Sequence, residues 1–150
     1  MDADHTFMRE ALTFAHIADS IGEIPVGCVI VRDNAVIASG VNRRESDQCA
    51  VNHAEIIAIR RACEVTGFWR LDDCDLYVTL EPCPMCAGAI VNARIRRLIY
   101  GAPNMKSGAF GTKFDLNAFG LNHRPEIIGG IMRDECADLL KNFSARLRKG

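Results

Sequence analysis

Apolar and polar positions along the chain change period several times, and each change marks an element. From Asp4 to Ile21, the apolar residues Phe7, Met8, Ala11, Leu12, Ala15 and Ala18 recur at three- and four-residue steps, which predicts an amphipathic helix. Gly22 and Pro25 punctuate its end. Val26 to Val31 is a β-branched apolar run, Asp33-Asn34 is a turn signal, and Ala35 to Gly40 resumes the run, so a hairpin is expected. A polar stretch from Asn42 to Val51 leads into a second helical pattern, carried by Ala54, Ile57, Ala58 and Ala62 and ending near Thr66 at Gly67. Asp75 to Leu80 reads as a buried strand, with a helix from Cys83 to about Ala93 behind it. Arg96 to Tyr100 is another short strand, and Glu126 to Ile131 a last one before a helix over Met132 to Arg148. Between them lies a long loop, Gly101 to Leu121, rich in Gly, Asn and Ser.

Strands alternating with helices predict an α/β sheet of parallel strands, joined by crossovers, with helices on both faces. The opening hairpin is the antiparallel exception. No internal repeat or linker divides the chain, and 150 residues suffice for one domain with a sizeable core. A structureless loop of about twenty residues is unusual in such a domain and is more often functional than idle.

Composition changes the picture in two ways. Eighteen Lys and Arg against nineteen Asp and Glu give a formal charge of −1, so the whole molecule exerts no pull on nucleic acid. Any RNA contact must come from local basic groups. Lys141, Arg146, Arg148 and Lys149 close the chain, and Arg43-Arg44, Arg94, Arg96-Arg97, Lys106 and Lys113 are further candidates for a groove, or else simply solvated surface. Seven cysteines, an odd number, argue for a reducing compartment rather than a disulfide framework. No run approaches the ~18 apolar residues of a membrane span and no signal peptide opens the chain, so a cytoplasmic protein without membrane contact is expected.

The candidate chemistry sits at two helix starts. His53-Ala54-Glu55 opens one, and Pro82-Cys83-Pro84-Met85-Cys86 opens the other. A catalytic zinc site takes three protein ligands, leaves a fourth position to water, and needs a base for that water's proton. Cys83 and Cys86 are three apart and share a helix face, so both sulfurs can reach one ion. The partial positive charge of a helix N-terminus favours thiolate. On this reading His53, Cys83 and Cys86 hold one zinc per chain and Glu55 shuttles protons. Two plainer readings stand beside it. A C-x-x-C is also a redox dithiol or a pair of core residues, and Cys49, four residues before His53, would complete a four-ligand structural zinc. Cys28, Cys63 and Cys136 fall in apolar patterns and are expected to be buried. Phe110, Phe114 and Phe119 either stack on splayed bases or anchor the long loop.

The pairing of H-x-E with P-C-x-x-C matches the signature of zinc-dependent nucleobase deaminases. More closely, the chain resembles the bacterial tRNA adenosine deaminases. The likeness is carried by Pro25-Val26-Gly27, Asn42, His53-Ala54-Glu55 and Leu80 to Ala89, then by Gly101-Ala102, Lys106 to Ala109, Asn122-His123-Arg124 and Asp134-Glu135-Cys136. It implies a three-layer cytidine deaminase-like fold, with a five-stranded mixed sheet between helix layers, and a homodimer. It also implies conversion of the wobble adenosine of a tRNA anticodon stem-loop to inosine, with Asn42, Asn104, Lys106, Phe143 and Arg146 contacting substrate. The chain departs from the pattern at Asn52, where a small residue precedes the metal histidine, and at Asn104, where an Asp near the target ribose is common. Pro84 also occurs in related guanine deaminases, so a free-base substrate is the alternative within the enzyme class. A zinc-stabilised binding module without activity is the alternative outside it.

Overall fold

Eighteen residues at the start of the chain do what their apolar spacing asks. In the computed structural model, which describes residues 2–149, α1 (Ala3–Ser20) buries Phe7, Met8, Ala11, Leu12, Ala15 and Ala18. Asp2 caps it by accepting from the His5 N–H. There follow β1 (Gly27–Arg32), β2 (Ala35–Val41), α2 (Ala54–Thr66), β3 (Cys74–Leu80), α3 (Pro84–Asn92), β4 (Arg97–Ala102), β5 (Glu126–Gly129) and α4 (Arg133–Lys149). The β1–β2 turn is two residues long, with Asp33 and Asn34 at φ of 52° and 61°, the left-handed pair that suits the twist of a tight hairpin.

The sheet order is β2-β1-β3-β4-β5. β1 pairs antiparallel with both β2 and β3, whereas β3, β4 and β5 are mutually parallel. The expected antiparallel exception is therefore one strand, β1, running against all the others. The helix between β2 and β3 does join two parallel strands, but it crosses over β1 to do so.

Alternation along each strand divides the core. Cys28, Ile30, Leu76, Val78 and Leu98 face one way and pack under α2 and α3, with Ala54, Ala58, Ala87 and Ile90. Val29, Val31, Tyr77 and Ile99 face the other way, against Phe7, Met8 and Ala11 of α1 and Cys136 and Leu139 of α4. The result is a three-layer α/β domain. One close approach fixes the position of α2. A Cβ on Gly40 would lie 2.2 Å from the Ala54 carbonyl oxygen, so only glycine on β2 lets the first turn of α2 lie so near.

The amino-terminal end of β3 is pinned by charge. Asp75, buried at 5 % exposure, accepts from Arg96 Nε at 3.0 Å and from Arg97 at 2.9 Å. Arg97 continues to Asp4 at 3.1 Å, and the Tyr77 hydroxyl donates to the same Asp4 at 2.5 Å. This network ties α1 to the sheet. Arg96 and Arg97 both pair with carboxylates, at the far end of the strands from the candidate ligands.

Candidate active site

β3 and α3 meet at Glu81-Pro82-Cys83, and α2 starts alongside. His53 is the N-cap of α2 and Cys83 the N-cap of α3, and neither side chain caps its own helix. Both are therefore free to face a third group. Pro84 occupies the first turn of α3, where its missing N–H costs nothing, and Cys86 is buried one turn on. The Cys83 and Cys86 sulfurs each lie 3.6 Å from His53 Nδ1, and the three ligand atoms all fall within 4.8 Å of one another. Bonds of 2.3 Å to sulfur and 2.0–2.1 Å to nitrogen put the S···N edge of a tetrahedral zinc site at about 3.6 Å, so the trio fits that ion. Cys49 does not join the group. Its N–H bonds to the Arg44 carbonyl within the preceding turn, leaving three candidate ligands rather than four.

Protons are unevenly shared in this cluster. A hydrogen bond from Cys86, reinforced by His53, brings the Cys83 thiol down to about 4. Cys86 moves the other way, because it donates to Cys83 and is buried beside Glu55. The bond to Cys83 raises His53. Glu55 is 4 % exposed, and burial raises its carboxyl to about 7. A buried carboxyl beside a candidate metal trio is placed to exchange protons with a ligand in the fourth position.

Glu55, His53 and Cys83 open onto a chamber of about 130 Å³, with Asn42 and Arg44 on one wall and Asn104 and Ser107 on the other. Asn42 donates to the Ile24 carbonyl and accepts from the Arg44 N–H, both at 3.2 Å, which fixes the plane of its amide. Asn104 is turned into its own loop. Its Oδ1 accepts from the N–H groups of Lys106 and Ser107, each at 3.1 Å, and its Nδ2 donates to Ser107 Oγ at 3.2 Å. Lys106 is exposed beside it. The remaining two expected contacts lie elsewhere. Phe143 is buried on the inner side of α4, and Arg146 lies over its ring and pairs with Asp19, so neither lines the chamber. Phe143 is buried in one stripe with Cys136 and Leu139. Phe110 is likewise core, Phe114 packs against it, and Phe119 is exposed.

Two buried carboxylates, Glu23 near the chamber and Glu81 on its lining, have no role that the sequence signals, although Glu81 lies within the Leu80 to Ala89 motif. Glu23 is 1 % exposed and accepts from the N–H groups of Glu45 (3.2 Å) and Ser46 (2.6 Å), holding the turn after Asn42. Burial pushes its carboxyl up, but donation by Ser46 and Glu45 outweighs this and leaves it below its ordinary value. Glu81, also 1 % exposed, accepts from the N–H groups of Asn104, Phe110 and Thr112 and so holds the segment that carries Asn104 and Ser107. Their partners are 22 to 31 residues away, so spacing gave no signal.

A mixed five-stranded sheet between two helix layers, bearing its metal-binding side chains on two helix starts, is the fold of the cytidine deaminase-like enzymes. Residues 1–146 match the MafB19-like deaminase family. A tRNA-specific adenosine deaminase of Bacillus subtilis (strain 168) is 42 % identical, over 99 % of this chain and 93 % of its own. A structure from studies of A-to-I editing by tRNA:A34 deaminases at the wobble position superimposes with a TM-score of 0.83 and 45 % identity, over 90 % of this chain and 99 % of that one. A guanine deaminase from Bacillus subtilis is more distant, with a TM-score of 0.63 and 36 % identity over 78 % of this chain and 85 % of its own. The chain belongs to the MafB19-like deaminase family and, within it, to the tRNA-specific adenosine deaminases.

Proposed function

We propose that the protein deaminates adenosine to inosine at the wobble position of a tRNA anticodon stem-loop, using one zinc ion held by His53, Cys83 and Cys86. The observation that carries the reading is Glu55, a buried carboxyl that opens onto the chamber beside the metal trio. A structural metal site has no use for that group. Zinc bound there supplies Lewis-acid polarisation of the attacking water. Glu55 takes one proton from the attacking water and delivers it to the ring nitrogen, then takes the proton of the new C–OH and passes it to the amino group, which leaves as ammonia. The water oxygen becomes the carbonyl oxygen of inosine. Asn42, its amide plane fixed, hydrogen-bonds the base.

Because the reacting groups lie inside a chamber, the target nucleotide must be unstacked, as it is in an anticodon loop. Lys106 at the rim, with Arg148 and Lys149 on α4 and Arg146 once it exchanges Asp19 for a phosphate, supplies positive charge for the flanking phosphates. The working unit is a homodimer in the cytoplasm. Exposed Phe68 and Trp69 beside an apolar groove over α2 and α3 support the dimer, and seven unpaired cysteines support the compartment. No helix among the described residues is long and apolar enough to cross a membrane.

The deciding experiment incubates purified protein with a tRNA carrying a wobble adenosine and, separately, with guanine, cytosine and free adenosine. Inosine in the tRNA alone is the expected result. Ammonia released from guanine, with the tRNA untouched, would overturn the substrate assignment and leave the chemistry at Glu55 standing.

A further inference from the structure

Glu81 takes no part in the chemistry above, yet it is buried two residues before Cys83. Among the described residues no cation pairs with it; only hydrogen-bond donors face its carboxylate. Oε1 accepts from the Asn104 N–H at 3.2 Å and from the Thr112 hydroxyl, while Oε2 accepts from the N–H groups of Phe110 (3.0 Å) and Thr112 (3.2 Å). Two donors per oxygen saturate a carboxylate. All of them belong to one segment, 104–112, whose Asn104 and Ser107 line the chamber.

Glycine at 108 gives an independent sign of the same design. A Cβ there would fall 2.5 Å from Glu81 Cδ and 2.6 Å from each of its oxygens. The carboxylate fills the space that a side chain on the loop would need. The loop is also tied to the metal turn through its backbone, since the Ala109 N–H donates to the Pro82 carbonyl at 3.0 Å.

We propose that Glu81 is a positioning residue, which sets the substrate wall 104–112 in register with the turn carrying Cys83. Glu81 lines the same chamber, but both its oxygens are taken up by the loop, so it acts through Asn104 and Ser107. The proposal rests on the deaminase reading and deepens it. Held this way, the wall keeps a fixed distance from Glu55, so a base seated against it lies where the proton transfers occur.

Glu81→Gln tests the assignment, because it preserves volume while turning one acceptor oxygen into an NH₂ group facing two donors. On a stem-loop with a wobble adenosine, KM is expected to rise about tenfold while kcat changes much less. Zinc content should stay at the wild-type value, and hydrogen exchange at Asn104, Phe110 and Thr112 should accelerate. Gly108→Ala drives a methyl group into the carboxylate and should give the same KM-selective defect by an independent route, even if Glu81→Gln folds poorly. Thr112→Val removes one of four donors and should give a smaller rise. Wild-type KM and wild-type exchange in both Glu81→Gln and Gly108→Ala would overturn the proposal, as would a lowered melting temperature with unchanged KM. If the wild-type protein fails to turn over the stem-loop, the deaminase reading falls, and the exchange data alone then decide whether Glu81 holds the loop.

Discussion

Strand β3 has a buried carboxylate at each end, and the two are handled in opposite ways. Asp75, where the strand begins, is met by two guanidinium groups. Glu81, where it has just ended about 20 Å away, is met only by N–H and O–H dipoles. The first arrangement cancels charge locally and anchors a helix. The second satisfies every lone pair yet adds no cation to a region that also holds Glu55 and the acidic Cys83 thiol. At that end the carboxylate nearest the metal turn is thus held by dipoles alone, next to three side chains spaced for a divalent ion.

Substitutions can break this contrast, and the largest effect should come from Glu55. Glu55→Ala removes the proton shuttle and should lower kcat by about 10²–10⁴ or more, while metal analysis still finds one zinc per chain. Equal loss of zinc would make Glu55 a ligand instead. Cys83→Ala or Cys86→Ala should abolish zinc binding and lower the melting temperature, because metal affinity is linked to folding. Cys49→Ala should leave both unchanged, and zinc loss there would restore a four-ligand structural site. Asp75→Asn addresses the other end of the strand. It should cost about 1–3 kcal/mol in denaturant unfolding, since Arg97 is left with Asp4 alone and Arg96 loses its carboxylate, with zinc content and KM unchanged. Smallest is the triple neutralisation of Arg146, Arg148 and Lys149. Binding of the stem-loop should weaken and its salt slope become shallower by up to about 2, with zinc untouched.

Much of this contrast could be read in the sequence, and the division between what was legible and what was not is physical. Helices and strands showed because burial imposes a period of 3.6 or 2, and because Gly67 and Asp33-Asn34 carry their own backbone preferences. His53, Glu55, Cys83 and Cys86 showed because chemistry constrains both residue type and local spacing. The order inside the 101–121 loop did not. Its organiser accepts from backbone N–H groups, which every residue type but proline supplies, so no pattern marks the partners. Arg96 and Arg97 were offered to RNA because a basic pair looks the same whether it meets phosphate or a buried aspartate. Phe143 shares helical spacing with Cys136 and Leu139, so its burial is legible in the sequence.

The lone reversed strand has a consequence for how the chain reaches its native state. β1 and β2 close through a two-residue turn and pair from Arg32↔Ala35 to Gly27↔Val41, contacts cheap in chain entropy. On its other side β1 waits for β3, which arrives only after α2 has crossed over it. His53 and Cys83 are thirty residues apart, on opposite sides of that crossover. The hairpin is therefore the natural early contact, and the ligand trio assembles only when the slower, long-range pairing is complete. Removing the metal should accordingly leave the folding rate almost unchanged and speed unfolding, because the ion acts as a latch on the last segment to dock.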